Sequence, residues 1–467
     1  MREKRQYFLC GVGGSGMLPL ALILRAAGHD VAGSDRALDQ GRSGPKFDYL
    51  SANGVRLFKQ DGSGLVSAGQ ILVASAAVEE TVPDVQAAIR LGAPRIARAR
   101  LLADLFNSAE TPIGVAGTSG KSTTVAMIAW ILSAMNRDPT VMNGAVMKNF
   151  VREGALFTSA LVGQGPAFVS EIDESDGSIA MFNPKIAVLN NVSLDHKSME
   201  ELRALFGDFL ARAQTAVLNL DNAEVAALST RAALTHTYGL AADADFTAQD
   251  LRAAPYGVAF TAIDRLSSAR AEVSLKVPGR HNVANALAAI AAAVAAGVRF
   301  SDAARALDDF QGIRRRFELV GAGAGIAVID DFGHNPDKIA ATLQTLHDFP
   351  GRLLVMFQPH GYGPLKKMKA EFIATFADHL EADDILLMPE PVYFGGTADR
   401  SVSSGDIAAG VRAAGRKAEA LATREACGAR LLELARPGDR IIVMGARDDT
   451  LTTFAEEIVA ALKQRAA

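Results

Sequence analysis

The residues with the clearest chemical meaning form the octapeptide from Gly117 to Thr124, which has the sequence GTSGKSTT. The apolar residues 112–116 before it predict a short buried strand, and residues 125–135 after it have the length and spacing of an apolar helix. A glycine-rich turn between a strand and a helix directs backbone N–H groups and the positive helix end at one point, where phosphate binds. The predicted ATP-binding residues of this turn are Gly117, Thr118, Ser119, Gly120, Lys121, Ser122 and Thr123.

Two side chains of this turn add chemistry to that of the backbone. Lys121 can reach the outer phosphates as a point charge, and the hydroxyl of Ser122 can coordinate Mg²⁺. The strict P-loop pattern has a glycine five residues before Gly120, where this chain has Val115, so the motif is a shortened P-loop. A glycine turn with an incidental lysine is the alternative, and it leaves the order of strand, turn and helix unexplained.

A second chemically active group follows the predicted strand 167–170. The next six residues, EIDESD, begin with Glu171 and contain four carboxylates. Such close carboxylates repel one another unless a cation is present, and ligands of α/β sheets bind at the carboxyl ends of the strands. Another apolar strand, 185–192, leads to His196, a candidate ligand for a divalent ion. A solvated acidic loop and a structural histidine are the alternatives.

A glycine fingerprint near the N-terminus predicts a second phosphate-binding turn. The apolar run 7–10 leads into GVGGSG, from Gly11 to Gly16, and then into an apolar helix pattern. Asp35 ends the next strand pattern, 19 residues after Gly16, where dinucleotide-binding folds place an acid that contacts ribose. The pattern predicts a bound nucleotide diphosphate. The alternative is a turn that only lets a helix pack closely on a strand.

The N-terminal glycines by themselves also fit an NAD-dependent oxidoreductase. That function gives no task to the P-loop, to the acidic strand end or to His196. Phosphoryl transfer uses all three, because the P-loop binds ATP, the acidic strand end and the histidine hold Mg²⁺, and the N-terminal fold holds a second phosphorylated substrate. A non-catalytic ATP-binding module is a third possibility, which an assay of phosphate release distinguishes.

Two further polar groups are candidates for nucleotide contacts. Asn282 and Asn285 are three residues apart at the start of an alanine-rich helix, predicted to run for about two dozen residues, so both amides can face one ligand. An N-cap role for Asn282 is the alternative. Three consecutive arginines, 314–316, precede the predicted strand 327–331 at a predicted domain junction. They supply a cation for a bound triphosphate or form a solvated basic patch.

Composition and charge indicate a globular protein. The chain has 467 residues, of which 49% are hydrophobic and 21% charged, and a net charge of −4. It lacks the basic footprint of a nucleic-acid-binding protein, and it has no apolar run suited to a bilayer span or a signal peptide. We therefore expect a cytoplasmic protein without nucleic-acid or membrane partners, as a monomer or weak homodimer. Its two cysteines, Cys10 and Cys427, provide neither a disulfide framework nor a thiolate metal site.

Strand and helix patterns alternate along the whole chain, which predicts an α/β protein of three domains. Residues 1–108 are predicted to form an N-terminal Rossmann-like domain for the second phosphorylated substrate. Residues 109–309 are predicted to form a central P-loop ATPase domain with a mainly parallel sheet. Residues 310–467 are predicted to form a C-terminal Rossmann-like α/β domain that contributes to the ATP site.

The chain also resembles the Mur ligase family, through motifs in the family's order from residue 7 to beyond residue 360. The motifs are GVGGSGM from Gly11, GSD ending at Asp35, GTSGKSTT from Gly117, EIDESDG from Glu171, NNVSLDH ending at His196, HNVAN from His281, RFE from Arg316, DDFGH ending at His334 and FQPH ending at His360. The resemblance covers most of the chain, so it implies the family's fold and reaction.

The implied reaction is the ATP-dependent formation of an amide bond. A substrate carboxylate attacks the γ-phosphate of ATP, and an amine then displaces phosphate from the acyl phosphate. The resemblance implies an acyl substrate of the UDP-N-acetylmuramate type and an amino acid as the amine, with L-alanine favoured, in peptidoglycan synthesis. A muropeptide-recycling ligase that adds a preformed peptide, and a Mur-type ligase recruited to another carboxylate, stay open.

The resemblance also implies a role for each matching residue. The implied catalytic residues are Lys121, His196 and Arg316. The implied Mg²⁺ ligands are Ser122, Glu171 and His196. The implied ATP contacts beyond the P-loop are Asn282, Asn285, Arg316, Asp331 and His334. The UDP part of the substrate is implied to contact Gly11, Gly13, Gly14, Ser15, Gly16, Asp35 and Ser75.

The residues after FQPH depart from the family pattern. Members that use L-alanine continue with an arginine-tyrosine-x-arginine-like run, whereas this chain has GYGPLKK at residues 361–367. Arginine grips a carboxylate bidentately and lysine does not, so the difference affects the choice of amine. Lysines and Arg447 near the amine would favour weak discrimination or an amine with an extra negative charge. The implied amine-binding residues are His360, Tyr362, Lys366 and Arg447.

Overall fold

The computed structural model describes residues 4–42, 44–76, 78–193, 197–241, 243–392, 400–446, 448 and 450–466. Two predicted site residues, His196 and Arg447, lie outside these ranges. The chain divides into two compact units, each described separately below. The first unit comprises Met1–Ala253 with Gly257–Ile313, and the second comprises Ala254–Tyr256 with Arg314–Ala467. Within the described ranges, every helix is too short or too polar to cross a membrane.

The first sheet of the first unit has five strands. They are β1 (Gln6–Cys10), β2 (Asp30–Ser34), β3 (Arg56–Phe58), β4 (Gln70–Ala74) and β5 (Arg95–Ala97). The helices are α1 (Met17–Ala26), α2 (Arg36–Asp39), α3 (Gly44–Ala52), α4 (Pro83–Leu91) and α5 (Arg98–Asn107). All strands are parallel, in the order β3-β2-β1-β4-β5. This order reverses direction beside β1, as in Rossmann-like sheets.

The topology of this sheet collects the N-terminal candidate residues at one edge. The glycine turn begins at Gly11, directly after β1, while Asp35 follows β2 and Ser75 follows β4. Helix α1 is almost entirely apolar and buried, so it packs on the sheet directly after the turn. Because these strands are parallel neighbours, their carboxyl ends form a single ligand-binding edge.

The second sheet of the first unit contains the P-loop strand. Its strands are β6 (Thr111–Ala116), β7 (Thr140–Met142), β8 (Ala160–Leu161), β9 (Ala167–Glu171), β10 (Ile186–Leu189), β11 (Thr215–Asn219), β12 (Leu234–Tyr238), β13 (Phe246–Ala254), β14 (Gly257–Asp264) and β15 (Ala269–Leu275). Its helices are α6 (Lys121–Ala134), α7 (Met199–Ala211), α8 (Ala223–Ala226), α9 (Arg280–Ala295) and α10 (Phe300–Ala306), with 3₁₀ turns at Lys148–Phe150, Ser178–Met181 and Leu307–Asp309.

The ten strands lie in the order β15-β14-β13-β12-β11-β10-β6-β9-β7-β8. From β13 to β7 every pairing of neighbours is parallel, whereas β14 with β15 and β7 with β8 are antiparallel. The prediction of a mainly parallel sheet is confirmed. Strand β6 lies between β10 and β9, so the P-loop emerges between the acidic strand end at Glu171 and the loop that begins at Asn190.

Two apolar helices cover this sheet beside the P-loop. Helix α9 buries a run of alanines, and α6 buries Val125, Ile128 and Leu132 in the same core. Small alanine side chains let the helices lie close to each other and to the sheet. Helix α9 is 16 residues long, which is shorter than predicted, because the chain leaves the helix at Gly297 with a left-handed φ of 84°.

The second unit contains a six-stranded sheet. Its strands are β16 (Glu318–Gly323), β17 (Ile326–Asp331), β18 (Leu353–Gln358), β19 (Ile385–Pro389), β20 (Lys417–Leu421) and β21 (Arg440–Gly445). Its helices are α11 (Pro336–His347), α12 (Tyr362–Lys367), α13 (Lys369–His379), α14 (Ser404–Ala413), α15 (Arg424–Leu434) and α16 (Thr450–Ala466). The order is β16-β17-β21-β18-β19-β20, with only β16 antiparallel to its neighbour. Apolar clusters lie on both faces, as in doubly wound sheets.

Candidate active site

The P-loop has the predicted succession of strand, turn and helix. Strand β6 ends at Ala116 and α6 begins at Lys121, with Gly120 as its N-cap. Gly117 and Gly120 have φ values of 128° and 78°, which residues other than glycine rarely adopt. Thr123 follows in the first turn of α6. The backbone geometry therefore explains why both glycines are needed here.

The side chain of Lys121 is held by two oxygen acceptors. Its Nζ donates to the carbonyl of Gly117 at 2.6 Å and to Glu174 Oε2 at 3.0 Å. The two charged side chains are largely buried, with 20% of Lys121 and 8% of Glu174 exposed. The lysine thus folds back over its own turn. Glu174 is a partner that the sequence did not predict, since nothing distinguished it from the other acids of its loop.

Ser122 and Glu171 lie together, as their predicted common role requires. The hydroxyl of Ser122 donates to Glu171 Oε2 at 2.7 Å. Gly144 makes room for this carboxylate, because a Cβ atom on Gly144 would lie 2.1 Å from Glu171 Oε1. A hydroxyl and a carboxylate are hard oxygen ligands, and Mg²⁺ in phosphate sites takes one or two carboxylates, with phosphates and water completing its shell. This donor set fits Mg²⁺.

Asn143 is a polar residue that the sequence analysis missed. Its side-chain amide donates to the carbonyl of Ser122 at 3.0 Å, and the residue is 1% exposed. Its Oδ1 atom is buried and has no hydrogen-bond partner among the described residues. A buried acceptor beside Ser122 is available to a bound ligand. The only sequence signal was its position after strand β7.

The acidic loop distributes its charges over separate partners. Asp173 and Asp176 each accept a backbone N–H two residues further along the chain, both at 2.9 Å. Burial acts to raise the pKa of Asp173, but hydrogen bonds from Ser175 and the charges of Lys121 and Arg98 outweigh it, so the pKa is lowered. The other two carboxylates bond to the P-loop side chains described above. The four carboxylates of the loop are therefore held apart by different hydrogen-bond partners.

The loop that begins at Asn190 supports the turn of the P-loop. Asn191 Oδ1 accepts from the hydroxyl of Thr118 and from the backbone N–H of Ser119, both at 2.8 Å. The amide of Asn191 donates to the Ser119 hydroxyl at 2.8 Å. Thr118 Oγ1 also lies 2.7 Å from the hydroxyl of Ser193. These contacts hold the turn from the side of strand β10.

Asn282 and Asn285 lie beside the P-loop but are buried, at 5% and 8% exposed. Asn285 Oδ1 accepts from the hydroxyl of Thr124 at 3.3 Å, and its amide donates to Asn282 Oδ1 at 3.1 Å. The amide of Asn282 donates to the carbonyl of Pro278 at 2.7 Å. The two amides do share one helical face, as predicted, and they bond to each other. Their contact with adenine stays a prediction.

The N-terminal glycine turn has Asp35 as its partner. Asp35 Oδ2 accepts the N–H of Gly13 at 2.9 Å, and Oδ1 accepts the N–H of Ala37 as the N-cap of α2. Gly14 and Ser15 are exposed at the tip of the turn. Asp35 therefore lies where predicted, but it also has a structural task that the motif alone does not reveal.

Arg98 is a second residue that the sequence analysis missed. It is the first residue of α5, directly after β5, and a Cβ atom on Gly16 would lie 2.8 Å from Arg98 Nη1. A guanidinium beside an exposed glycine turn is suited to a phosphate or diphosphate. The position of Arg98 at the end of a short predicted strand was the only available signal.

In the second unit, predicted ATP and amine residues come together at the carboxyl end of the sheet. Arg316 packs over the ring of Phe332, with its guanidinium carbon 4.3 Å from the ring centroid. The rings of His334 and His360 are 5.6 Å apart and nearly perpendicular. Burial, followed by the charge of Lys338, lowers the pKa of His334 to about 4. His334 is therefore a neutral imidazole at pH 7.

Asp331 and its neighbour Asp330 serve different partners. Asp331 accepts the backbone N–H groups of Phe317 and Gly333, both at 2.8 Å, and so fixes the turn that carries Arg316. Asp330 is fully buried, and burial raises its pKa to about 6 despite the guanidinium of Arg315 at 3.4 Å. Both carboxylate oxygens of Asp331 already accept a backbone N–H, so its predicted contact with ribose would have to be made in addition to these two hydrogen bonds.

The three arginines at 314–316 are not equivalent. Arg315 is buried and donates to the carbonyls of Gly445 at 2.6 Å and Asp448 at 3.0 Å, so it fixes the loop after β21. Arg315 and Arg316 both lie over the ring of Phe332, with their guanidinium carbons 5.2 and 4.3 Å from its centroid, and of these two Arg316 is the partly exposed one. The arrangement is neither a solvated patch nor a triple cation site, because one of the three arginines is structural.

Three of the predicted amine residues, His360, Tyr362 and Lys366, follow the end of β18. Tyr362 and Lys366 lie on α12, and Lys366 is exposed. A neighbouring cavity of about 240 Å³ is lined at the carboxyl ends of the strands by Gln358, Glu390, Arg424 and Asp448 among others. Arg424 donates to Asp448 Oδ2 at 3.2 Å. Arg424 had no sequence signal, since it lies in an unremarkable helix start.

Fold and site together define a P-loop enzyme with three α/β sheets. Three family models match successive parts of the chain: the Mur ligase family catalytic domain at residues 7–110, the Mur ligase middle domain at 115–293, and the Mur ligase glutamate ligase domain at 315–447. The chain belongs to the Mur ligase family and is an ATP-dependent ligase.

Relatives and solved structures support this assignment over nearly the full length. The UDP-N-acetylmuramate–L-alanine ligase of Acidithiobacillus ferrooxidans is 40% identical over 82% of both chains, and that of Geobacter sp. strain M21 is 36% identical over 93% of both. The UDP-N-acetylmuramate-alanine ligase MurC of Thermotoga maritima aligns with a TM-score of 0.80 at 25% identity, over 98% of this chain and 99% of that one. A murein peptide ligase of Psychrobacter arcticus shares the fold, with a TM-score of 0.72 at 24% identity over 98% and 99% of the two chains. The predicted three-domain α/β architecture is confirmed.

Proposed function

We propose that this protein joins the carboxylate of UDP-N-acetylmuramate to L-alanine, with ATP as the phosphoryl donor and Mg²⁺ as the metal, in peptidoglycan synthesis. The relatives named above carry that activity in their names, and two of them match at 36–40% identity. The observation that carries the proposal is the P-loop at which Lys121, Ser122 and Glu171 converge. It supplies both a cation and oxygen ligands at the point where the helix begins.

Lys121 and the backbone of the turn from Gly117 to Gly120 stabilise the charge of the transferring phosphoryl group. The substrate carboxylate forms a bond to the γ-phosphorus as the bond to the ADP oxygen breaks, which gives an acyl phosphate. The amine then bonds to the acyl carbon, phosphate leaves, and the amine loses a proton. Little covalent chemistry falls to the protein, because positioning and charge stabilisation provide most of the rate. Arg316 supplies a second cation for the γ-phosphate.

Ser122 and Glu171 would hold the metal, and His196 is proposed as a further ligand. Bound Mg²⁺ would neutralise phosphate charge during the transfer. We expect Glu171→Gln to raise the Mg²⁺ concentration for half-maximal activity by about tenfold, because it removes the carboxylate charge from the pair that Glu171 forms with Ser122 at 2.7 Å. A titration of phosphate release against Mg²⁺ measures this. Glu224→Gln is the control, since Glu224 pairs with Arg203 on the surface, and an unchanged Mg²⁺ titration for Glu171→Gln would remove Glu171 from the site.

The UDP part is proposed to lie on the N-terminal glycine turn. The tip of the turn is exposed at Gly14 and Ser15, Arg98 adds a cation, and Asp35 and Ser75 lie at the same strand edge. Diphosphates bind at such turns because the helix end and the backbone donors act together. The further proposed nucleotide contacts are Asn282 and Asn285 of the first unit and Asp331 and His334 of the second unit.

Three further proposals concern the domain boundaries, the location and oligomeric state, and the partners. The domain boundaries are proposed at residues 1–108, 109–309 and 310–467. The enzyme is proposed to act in the cytoplasm as a monomer or weak homodimer. Its partners are proposed to be small molecules, without nucleic acid or membrane.

The amine is the part of the proposal that depends most on this chain's own sequence. Gly361 and Pro364 stand in the run where the family members that use L-alanine have arginines, and Lys366 lies nearby on α12. His360, Tyr362, Lys366 and Arg447 are the proposed amine contacts. A preformed peptide is the second candidate amine, since the chain also shares its fold with a murein peptide ligase.

The decisive experiment is ATP-dependent phosphate release with UDP-N-acetylmuramate and a panel of amines. The panel contains L-alanine, glycine, L-serine, short acidic peptides and the murein tripeptide. Stimulation by L-alanine supports the proposal, and stimulation by the tripeptide alone identifies a recycling ligase instead. If no amine stimulates release, UDP-N-acetylmuramate is not the acyl substrate, and the chain acts on another carboxylate.

A further inference from the structure

A chain of hydrogen bonds lies beside the P-loop, and in it each side chain donates to the next one. It starts at Tyr238, the last residue of β12, which is 1% exposed and whose hydroxyl donates to Asn190 Oδ1 at 3.2 Å. Asn190 donates to Thr124 Oγ1 at 3.1 Å, and Thr124 donates to Asn285 Oδ1 at 3.3 Å. Asn285 donates to Asn282 Oδ1 at 3.1 Å, and Asn282 ends the chain on a backbone carbonyl at 2.7 Å.

Two amides of this chain touch the turn that binds phosphate. The amide of Asn190 also donates to the carbonyl of Ser119 at 3.3 Å. A Cβ atom on Gly120 would lie 2.7 Å from Asn285 Oδ1 and 2.9 Å from Asn190 Nδ2, so the two amides enclose this glycine. The position of the turn therefore depends on how these amides are oriented.

The orientation of each amide is set by its neighbour. Asn190 must present its oxygen to the Tyr238 hydroxyl and its nitrogen to Ser119 and Thr124, because a flipped amide would bring two oxygens together. Burial raises the pKa of Tyr238 far above its usual value, so the hydroxyl remains a donor at working pH. Buried hydrogen-bond chains polarise one another, and a buried acceptor that loses its donor is costly.

We propose that Tyr238 is a positioning residue for nucleotide binding, which acts by fixing the amide of Asn190 and through it the turn at Ser119 and Gly120. The proposal rests on the proposed function, because it takes the P-loop as the ATP site. Tyr238 belongs to strand β12, three places from β6 in the sheet, and its hydroxyl reaches the turn through this chain of hydrogen bonds.

The test measures the affinity of the full-length protein for MgATP alone by calorimetry, together with the thermal unfolding midpoint. We expect Tyr238→Phe to weaken MgATP binding about threefold to tenfold, because it removes one buried hydrogen bond that orients the turn. Thr124→Val, which breaks the chain at its centre, should weaken binding at least as much. Thr124→Ser keeps the hydroxyl and should bind within about twofold of the wild type.

Tyr7→Phe is the matched control, since Tyr7 is also buried in a strand of the first unit and should leave MgATP binding unchanged. A lower unfolding midpoint with unchanged MgATP affinity in both Tyr238→Phe and Thr124→Val would show a purely structural role and overturn the proposal. If Tyr238→Phe does not fold, the Thr124 pair decides the question. If the wild type binds no MgATP, the proposed function itself fails. If the wild type binds MgATP and both variants bind it equally well, only the positioning role of Tyr238 fails.

Discussion

The first unit holds the cation of its candidate nucleotide site with a carboxylate, whereas the second packs its cation on an aromatic ring. Lys121 Nζ lies 3.0 Å from Glu174 Oε2. The guanidinium of Arg316 lies 4.3 Å from the centroid of Phe332. A carboxylate competes with phosphate for the cation, while a ring face attracts the cation and leaves edge N–H groups available to an anion.

The difference indicates two ways of preparing a phosphate site. In the first unit, Glu174 balances the charge of Lys121, so a phosphate at the P-loop would compete with this carboxylate for the lysine. In the second unit, Phe332 and the turn fixed by Asp331 direct Arg316 by stacking and by backbone hydrogen bonds. Substitutions of Lys121 and Arg316 should therefore change different kinetic parameters and by different amounts.

The largest effect is expected for Lys121→Ala. The change removes a charge at the point where phosphoryl charge develops, so kcat/KM for phosphate release should fall about a hundredfold to a thousandfold with the fold intact. Lys276→Ala is the matched control, because Lys276 makes a surface ion pair with Asp309. A Lys121→Ala enzyme that keeps more than about a tenth of wild-type kcat/KM would contradict the role.

A smaller effect is expected for Arg316→Lys, which keeps the charge and loses the planar group that stacks on Phe332 at 4.3 Å. The KM for ATP should rise about tenfold, since cation–π stacking and the guanidinium fork are both lost. Steady-state kinetics with varied ATP measures this. Arg430→Lys, in a surface pair with Glu419, serves as control, and an unchanged KM in Arg316→Lys would mean that charge alone matters.

Glu174→Gln tests the comparison by removing the carboxylate that pairs with Lys121. Without the competing carboxylate, Lys121 should be more available, and the KM for ATP should fall about twofold to threefold. Asp176→Asn is the matched change in the same loop, since Asp176 accepts a backbone N–H at 2.9 Å and not the P-loop lysine. A rise in KM for Glu174→Gln would show that the pair prepares the site for nucleotide.

The parts of the site that follow from local pattern could be predicted from the sequence. The turn from Gly117 to Gly120 is a short continuous motif at the end of one strand. Ser122 and Glu171 follow two strands that are neighbours in a parallel sheet, so they meet at the same edge. Strand β6 pairs with β9, so any motif at the end of one meets the end of the other.

The residues that were missed depend on contacts between distant strands. Glu174 is 53 residues from Lys121, and Asn190 is 48 residues from Tyr238, so only the strand order brings each pair together. Nothing in a stretch of four acids says which one faces the lysine. Strands β12 to β15 were also not predicted, although β15, with the sequence ARAEVSL, has the strict alternation of apolar and polar residues that indicates a half-buried strand.

The smallest effect concerns His334 and pH. Its pKa is lowered from 6.5 to about 4, first by burial and then by the charges of Lys338, His360 and Arg316. The folded chain therefore binds this proton less readily than the unfolded chain, so the free energy of unfolding should decrease as pH falls from about 6.5 towards 4 and be unaffected above that range. Between pH 7 and pH 5 the loss should be on the order of 1 kcal/mol, with part of the shift discounted for solvent screening. Denaturant unfolding of wild type and His334→Gln at both pH values measures it. His334→Gln should lose less stability over this interval than the wild type, and an equal loss would mean that the neutral imidazole of His334 is not what makes the second unit sensitive to acid.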